Sequence, residues 1–392
     1  MRDAGGEPIS LRLPDCRPAG GVALAREWVA DLVEISSSSV VLDALLLSAD
    51  HPEELFGMLI AALRLDLPTV FAPPENRYLC ASAVALGLAP GAAEPGNTAI
   101  SLAESDGPCP RGLIDNFSIA NALRAGVAAG GGPELLVHLA ALAREAGVAG
   151  FDQMLQVLAP ETPEADPEWL LKHGVPGLLA SLGDALHDLP TVAGNLKEAL
   201  PSVSSPPDEH ARLVFVRARA SGAEAVCRVR RGVTEAAGEG RVFGSEEEAV
   251  SGVRRGEVGK GEMLVVGGCG PRGGPGLVRL DSLERSLREA NLEVPVLTDG
   301  LAPERAAGTW ISLFTPEATE DSVLSLIHDG DTFRIDFAEA RIRTRASEFE
   351  SRTPREFPDR ADMAYAARYA RTALPSLEGA GFSPTFPWRT AP

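Results

Sequence analysis

Cysteine is scarce in this chain, and the five present, Cys16, Cys80, Cys109, Cys227 and Cys269, are scattered through 392 residues with no CxxC pair. Neither a disulfide framework nor a zinc knuckle is suggested, so reduced thiols in a cytoplasmic protein are expected. Positive charge is also in deficit: 36 basic residues stand against 55 acidic ones, a net charge of −19. That balance opposes nonspecific binding to nucleic acid or to an anionic membrane. Long apolar runs are missing too. Stretches such as Met58 to Leu63 and Val40 to Leu47 are interrupted or ended by charge, well short of the ~20 residues a membrane helix needs. Met1 to Pro18 carries Asp3, Glu7 and Asp15 and no basic region leading into an apolar one, so no signal peptide is expected.

What is present is an ordinary globular composition, 45% hydrophobic, in a chain long enough for two or three domains. From Val22 the apolar residues Leu24, Trp28, Val29, Leu32 and Val33 recur at helical spacing, with Arg26, Glu27 and Asp31 on the other face. Val40 to Leu47 then reads as a strand, Pro52 to Arg64 as a helix, and Pro68 to Ala72 as a second strand. Strand, helix, strand within ~30 residues is a βαβ unit, which predicts a parallel sheet. Asp50 and His51 fall at the carboxyl end of a strand and before a helix, where ligands bind in such sheets; a helix cap with a solvated histidine accounts for them equally.

Ala89 to Gly112 is rich in Gly, Pro, Ser and Ala and reads as a loop, after which helical periodicity resumes at Asn116 to Ala129 and Leu135 to Ala146, with His138 on the apolar side. Ser202 to Glu209, with its Pro-Pro pair, reads as the domain boundary, giving an α/β domain over 1–201, a β-rich domain over 210–381 and a tail over 382–392. In the second domain the apolar run Met263 to Val266 leads directly into Gly267-Gly268-Cys269-Gly270-Pro271-Arg272-Gly273-Gly274-Pro275-Gly276. Glycines crowded at the end of a buried strand permit positive φ and close approach to the backbone, by a ligand or by the chain itself.

Gly270-Pro271-Arg272-Gly273-Gly274-Pro275-Gly276-Leu277 resembles the GPKGGPGM loop of the dihydroxy-acid dehydratase and phosphogluconate dehydratase family. Leu297-Thr298-Asp299-Gly300 resembles its ITDGRFSG segment, Arg26 to Asp31 its REIIAD helix, and Gly57 to Leu65 its GMLMAALRL helix, followed by the strand Pro68 to Phe71. Gly130-Gly131 with His138-Leu139 resembles GGSTNxxLHL, and Asp329-Gly330-Asp331 with Phe333 and Ile335 resembles IEDGDLIxID. Seven matches in the family's order make the resemblance specific. It implies an N-terminal α/β domain with a parallel sheet, a C-terminal β-rich barrel-like domain, an active site between them, and a homodimer.

The resemblance also implies chemistry: loss of water from a 2,3-dihydroxy acid, with an iron-sulfur cluster as Lewis acid, a magnesium ion and a serine base. The residues that would perform it are replaced. The family's Cys-Asp-Lys motif falls on His51-Pro52-Glu53, its magnesium-binding glutamate on Cys269, and its serine on Pro303. The segments bearing the other cluster cysteines have no match, and the polar residues of GGSTN become Gly132-Pro133-Glu134. An iron-sulfur cluster is therefore not expected, and ordinary dihydroxy-acid dehydration is argued against.

Asp50, His51 and Cys269 together suggest a softer site for zinc or ferrous iron. Asp50, His51, Cys269 and Glu134 are the candidate catalytic groups, and Glu53 and Glu304 add carboxyl groups near the same site. Gly130, Gly131, Gly273, Gly274, Thr298 and Asp299 are the candidate contacts to a small-molecule ligand. Two functions stay open: a lyase-type enzyme with a remodelled, cluster-free site acting on a small polar metabolite, in specialised metabolism; and a pseudoenzyme serving as a dimeric binding or scaffold protein.

Overall fold

The computed structural model describes residues 5–16, 21–91, 93–105, 107–198, 200–203, 205–218, 221–272, 274–304, 306–319, 322–344, 352–357 and 364–382. Residues 383–392 of the expected tail lie outside the described residues. The chain forms two compact units, one of Met1–Pro18, Ala25–His210 and Thr385–Pro392, the other of Ala19–Leu24 and Ala211–Pro384.

The first unit is built on helices around a small parallel pair. Helix α1 (Val22–Ser38) is followed by β1 (Leu45–Leu47), α2 (Pro52–Leu65) and β2 (Thr69–Phe71). The two strands pair in parallel with Leu45 opposite Thr69 and Leu47 opposite Phe71, the expected βαβ unit. Helix α2 carries the signals that fix its ends. Pro52 sits in its first turn with Glu53 and Glu54, Arg64 lies in its last turn, and Asp66 closes it in the left-handed conformation. Gly57 lets α1 cross closely, since a Cβ there would lie 2.7 Å from the Arg26 carbonyl oxygen. The strand expected over Val40 to Leu47 shortens to three residues because its partner offers only three; Val41 is 94% exposed.

Six further helices and a short strand follow: α3 (Arg77–Ala85), α4 (Pro95–Glu104), α5 (Pro110–Leu113), α6 (Asn116–Ala128), α7 (Pro133–Glu145), α8 (Phe151–Glu161) and β3 (Glu164–Ala165). Helix α9 (Pro167–Leu182) and the small hairpin β4 (Pro190–Thr191) and β5 (Gly194–Asn195) complete the unit. The loop expected over Ala89 to Gly112 holds two of these helices. Local chemistry overrides its composition: Pro95 stands in the first turn of α4, and the Glu94 carboxylate accepts the Asn97 N–H at 2.6 Å as a cap.

The second unit is a closed eight-stranded barrel. Its strands are β6 (Glu209–Arg217), β7 (Glu224–Arg230), β8 (Glu235–Phe243), β9 (Glu262–Val266), β10 (Val296–Thr298), β11 (Trp310–Thr315), β12 (Thr332–Asp336) and β13 (Arg341–Thr344). Around the barrel the order is β13-β12-β8-β9-β10-β11-β7-β6, closed by pairing of β13 with β6. Strands β8, β9, β10 and β11 are mutually parallel, and α10 (Glu246–Arg254) and α11 (Asp281–Glu289) supply two of the crossovers. The period of two in a strand divides the core. Met263 and Val265 join Cys227, Leu297, Ile311 and Ile335 in one cluster, while Leu264 and Val266 face the other way into a cluster with Val250, Leu283 and Leu287 of the helices. Helix α12 (Ala364–Thr372) follows the last strand. None of the helices among the described residues is long and apolar enough to cross a membrane.

Candidate functional site

In the barrel unit the four parallel strands end on the same side, at Phe243, Val266, Thr298 and Thr315, the side of a parallel sheet on which ligands bind. The glycine loop leaves Val266 there, and a single carboxylate organises it. Asp299 Oδ1 accepts the Cys269 N–H at 2.9 Å, while Oδ2 accepts the Gly268 N–H at 3.2 Å and the Ala318 N–H at 3.0 Å. Burial pushes the Asp299 carboxyl up to about 6; the Ala318 and Cys269 N–H groups oppose that rise, and the nearby Glu317 carboxylate adds to it. Glu317 is itself buried and accepts the Ser376 N–H at 2.8 Å and the Ser376 hydroxyl at 3.2 Å. Thr298 turns its hydroxyl oxygen to the Gly300 N–H at 3.0 Å.

Much of the glycine content of the loop serves close approach by the chain itself. At Gly276 (φ +102°) an added Cβ would lie 2.6 Å from Leu24 Cβ, and at Gly274 one would lie 2.3 Å from the Gly270 carbonyl oxygen. Residues of the 21–24 segment are tied down by the same stretch: the Gly21 N–H donates to Pro275 O at 2.6 Å and the Val22 N–H to Leu277 O at 2.9 Å. Gly273 lies outside the described residues. Cys269 does not face outward. It is fully buried among Phe243, Leu264, Leu280 and Leu283, with its Sγ 3.7 Å from Gly267 O.

The other candidates belong to the first unit. Asp50 is exposed, and its carboxylate accepts the Glu75 N–H at 3.3 Å; His51 takes the extended N-cap position of α2. Glu53, in the first turn of that helix, is buried. Gly130 (φ +100°) and Gly131 make the turn into α7, and Gly131 approaches the Gly126 carbonyl too closely for a side chain. On α7, Glu134 and His138 are one turn apart and both buried.

Arg26 was expected on the polar face of α1, yet it is completely buried. Its guanidinium bonds Glu27 at 2.8 Å and lies 3.3 Å from His138 Nδ1. A guanidinium only donates, so Nδ1 accepts and the ring proton belongs on Nε2, which stands 3.5 Å from Glu134 Oε1. The imidazole is stacked on Phe56 with the ring planes 6° apart. Sequence reasoning noticed His138 but not its partner, because helical periodicity alone groups Arg26 with its charged neighbours.

Residues 199–380 match the model of the dihydroxy-acid/6-phosphogluconate dehydratase C-terminal domain. Within those residues the chain carries that family's C-terminal domain. It is 29% identical over 303 residues to the dihydroxy-acid dehydratase of Citrifermentans bemidjiense, covering 69% of this chain and 55% of that protein. It is 27% identical to that of Carboxydothermus hydrogenoformans, over 97% of this chain and 89% of the relative, and 25% identical to that of Akkermansia muciniphila. The chain thus spans about half the length of several curated relatives it matches. The Carboxydothermus alignment runs 493 positions, more than the 392 residues of this chain, so internal segments of that relative have no counterpart here.

The thiols among the described residues do not make the grouped set that an iron-sulfur cluster needs. Burial raises the thiols of Cys80 and Cys227, and burial with Asp15 and Glu54 raises that of Cys16. Among the described residues no three His, Cys, Asp or Glu side chains are grouped to hold a metal ion. Of the expected metal set, Asp50 and His51 belong to the first unit and Cys269 to the second.

Proposed function

We propose that this dehydratase-family chain is a lyase-type enzyme with a remodelled site, acting on a small polar metabolite without an iron-sulfur cluster and working as a homodimer. One observation carries the reading: the glycine loop keeps a built geometry on the Asp299 carboxylate, while the residue at the family's magnesium-ligand position, Cys269, packs into the apolar core. The ligand-shaping backbone is retained and the metal ligand is not. Proton transfer needs ionisable side chains in a dry setting, and the first unit holds one such pair, the buried Glu134 and His138.

A second reading, a pseudoenzyme that binds or scaffolds, is favoured by the half-buried Phe357 ring, which lies against Gly267 and Gly268 of the same loop. Turnover separates the two. The purified full chain is incubated with D-glycerate and D-gluconate, small polyhydroxy carboxylates, and 2-keto acid formation is followed with and without an iron chelator. Chelator-insensitive product is expected. Turnover that appears only after iron-sulfur reconstitution contradicts the proposal, and no turnover of either acid supports the pseudoenzyme.

A further inference from the structure

Residues 352–357 form a short strap at the strand ends of the barrel, held at Arg352 and at Arg355. The Arg352 guanidinium is bidentate on Asp331, with Nη1 to Oδ2 at 2.6 Å and Nη2 to Oδ1 at 2.9 Å, and Nη1 also donates to Leu326 O at 3.1 Å. The Arg355 N–H donates to Ser325 O at 2.8 Å, and its guanidinium donates to Val242 O at 3.1 Å and reaches both Glu248 carboxylate oxygens at 3.4 Å. Between these anchors and the loop stands Phe357. A Cβ built on Gly267 would fall 2.5 Å from its Cε1 and 2.7 Å from its Cζ; one built on Gly268 would fall 3.3 Å from its Cδ1.

Two features distinguish this ring from ordinary core. Gly268 needs glycine for its φ of +71°, but Gly267 has no positive φ, so its missing side chain is explained by the approach of Phe357. The ring is also only half-buried, packed against the barrel cluster rather than counted within it. It therefore occupies the place from which a ligand at the carboxyl ends of β8 and β9 would meet the loop backbone.

We propose that the 352–357 segment is a closing strap in which Phe357 plugs the glycine loop and the Arg352–Asp331 pair holds the plug down, so that a small polyhydroxy carboxylate gains the loop only when the strap lifts. This rests on the reading of the loop as the ligand site. A closed state in competition with ligand lowers apparent affinity by the fraction of molecules open, so weakening the strap tightens binding.

The test is titration of the full chain with D-glycerate, comparing wild type, Arg352→Gln and Phe357→Ala, with the thermal midpoint and hydrogen exchange of the 263–276 peptide followed in parallel. Both variants are expected to bind D-glycerate at least about tenfold more tightly, equivalent to about 1.4 kcal/mol, with faster exchange in that peptide. Arg352→Gln removes the Asp331 ion pair and the bond to Leu326 O but leaves the ring in place, and keeps the comparison usable where Phe357→Ala lowers stability. Equal affinity in all three proteins overturns the strap and leaves the ligand site standing. Faster exchange with no D-glycerate binding in any protein overturns the ligand reading and the strap's role in access together.

Discussion

The Asp299 carboxylate accepts the Cys269 N–H at 2.9 Å, so the residue that closes one strand fixes the loop leaving its neighbour. Two further N–H groups, of Gly268 and Ala318, converge on the same carboxylate, making it the organising group of the strand ends. Replacing Asp299 with Asn puts an NH₂ donor in place of one acceptor oxygen. At least one buried N–H then loses its partner, at about 1–3 kcal/mol. A drop of several degrees in the thermal midpoint of Asp299→Asn, read by calorimetry, is expected; an unchanged midpoint contradicts the role.

The same carboxyl sets a pH dependence. Its value in the folded protein is about 6 against an ordinary 3.8, so between those values the folded chain holds a proton that the unfolded chain releases. The contribution of Asp299 to stability is present in full below about pH 4 and is lost as pH rises through about 6, by on the order of 3 kcal/mol. Denaturant midpoints measured from pH 4 to 7 are expected to carry a component that falls with rising pH in wild type and is missing in Asp299→Asn. Identical profiles in the two proteins contradict this.

The contact between Phe357 and Gly267 is open to a double-mutant cycle. Gly267→Ala drives a methyl into the ring and is expected to destabilise by about 1–3 kcal/mol. In the background of Phe357→Ala the same change is expected to cost much less, with a coupling energy above about 0.5 kcal/mol. Additive effects in chemical denaturation place the ring elsewhere.

In the first unit, Arg26 carries a fully buried charge against Glu27 and His138. Arg26→Leu leaves the Glu27 carboxylate in the interior without its cation, a change expected to cost about 3–5 kcal/mol. The measurement is the urea midpoint of the variant, and a midpoint near that of the wild type contradicts the buried pair.

Much of the fold was legible in the sequence, and the reasons are local. Pro52, Glu53, Glu54 and Arg64 mark both ends of α2, and the ordered motifs from Arg26 to Asp336 specify the family and with it the barrel. The site was less legible because its decisive relationships are distant along the chain. Nothing near Asp299 announces that Gly268 and Ala318 will donate to it, and Phe357 is far in sequence from Gly267. Cys269 was readable as a replacement for a metal ligand, but its direction depended on α11 and on Phe243, which surround its thiol with apolar groups. The Glu94 cap was a local signal hidden by the composition around it.

The central claim, a small-polar-ligand site that needs no metal, is tested most directly by titrating D-glycerate and D-gluconate into the full chain before and after exhaustive chelation, with zinc and iron content measured on the same samples. Saturable binding with the same Kd in both states, in protein carrying no stoichiometric zinc or iron, is the expected result. Binding that vanishes on chelation and returns with added magnesium, zinc or iron would contradict it.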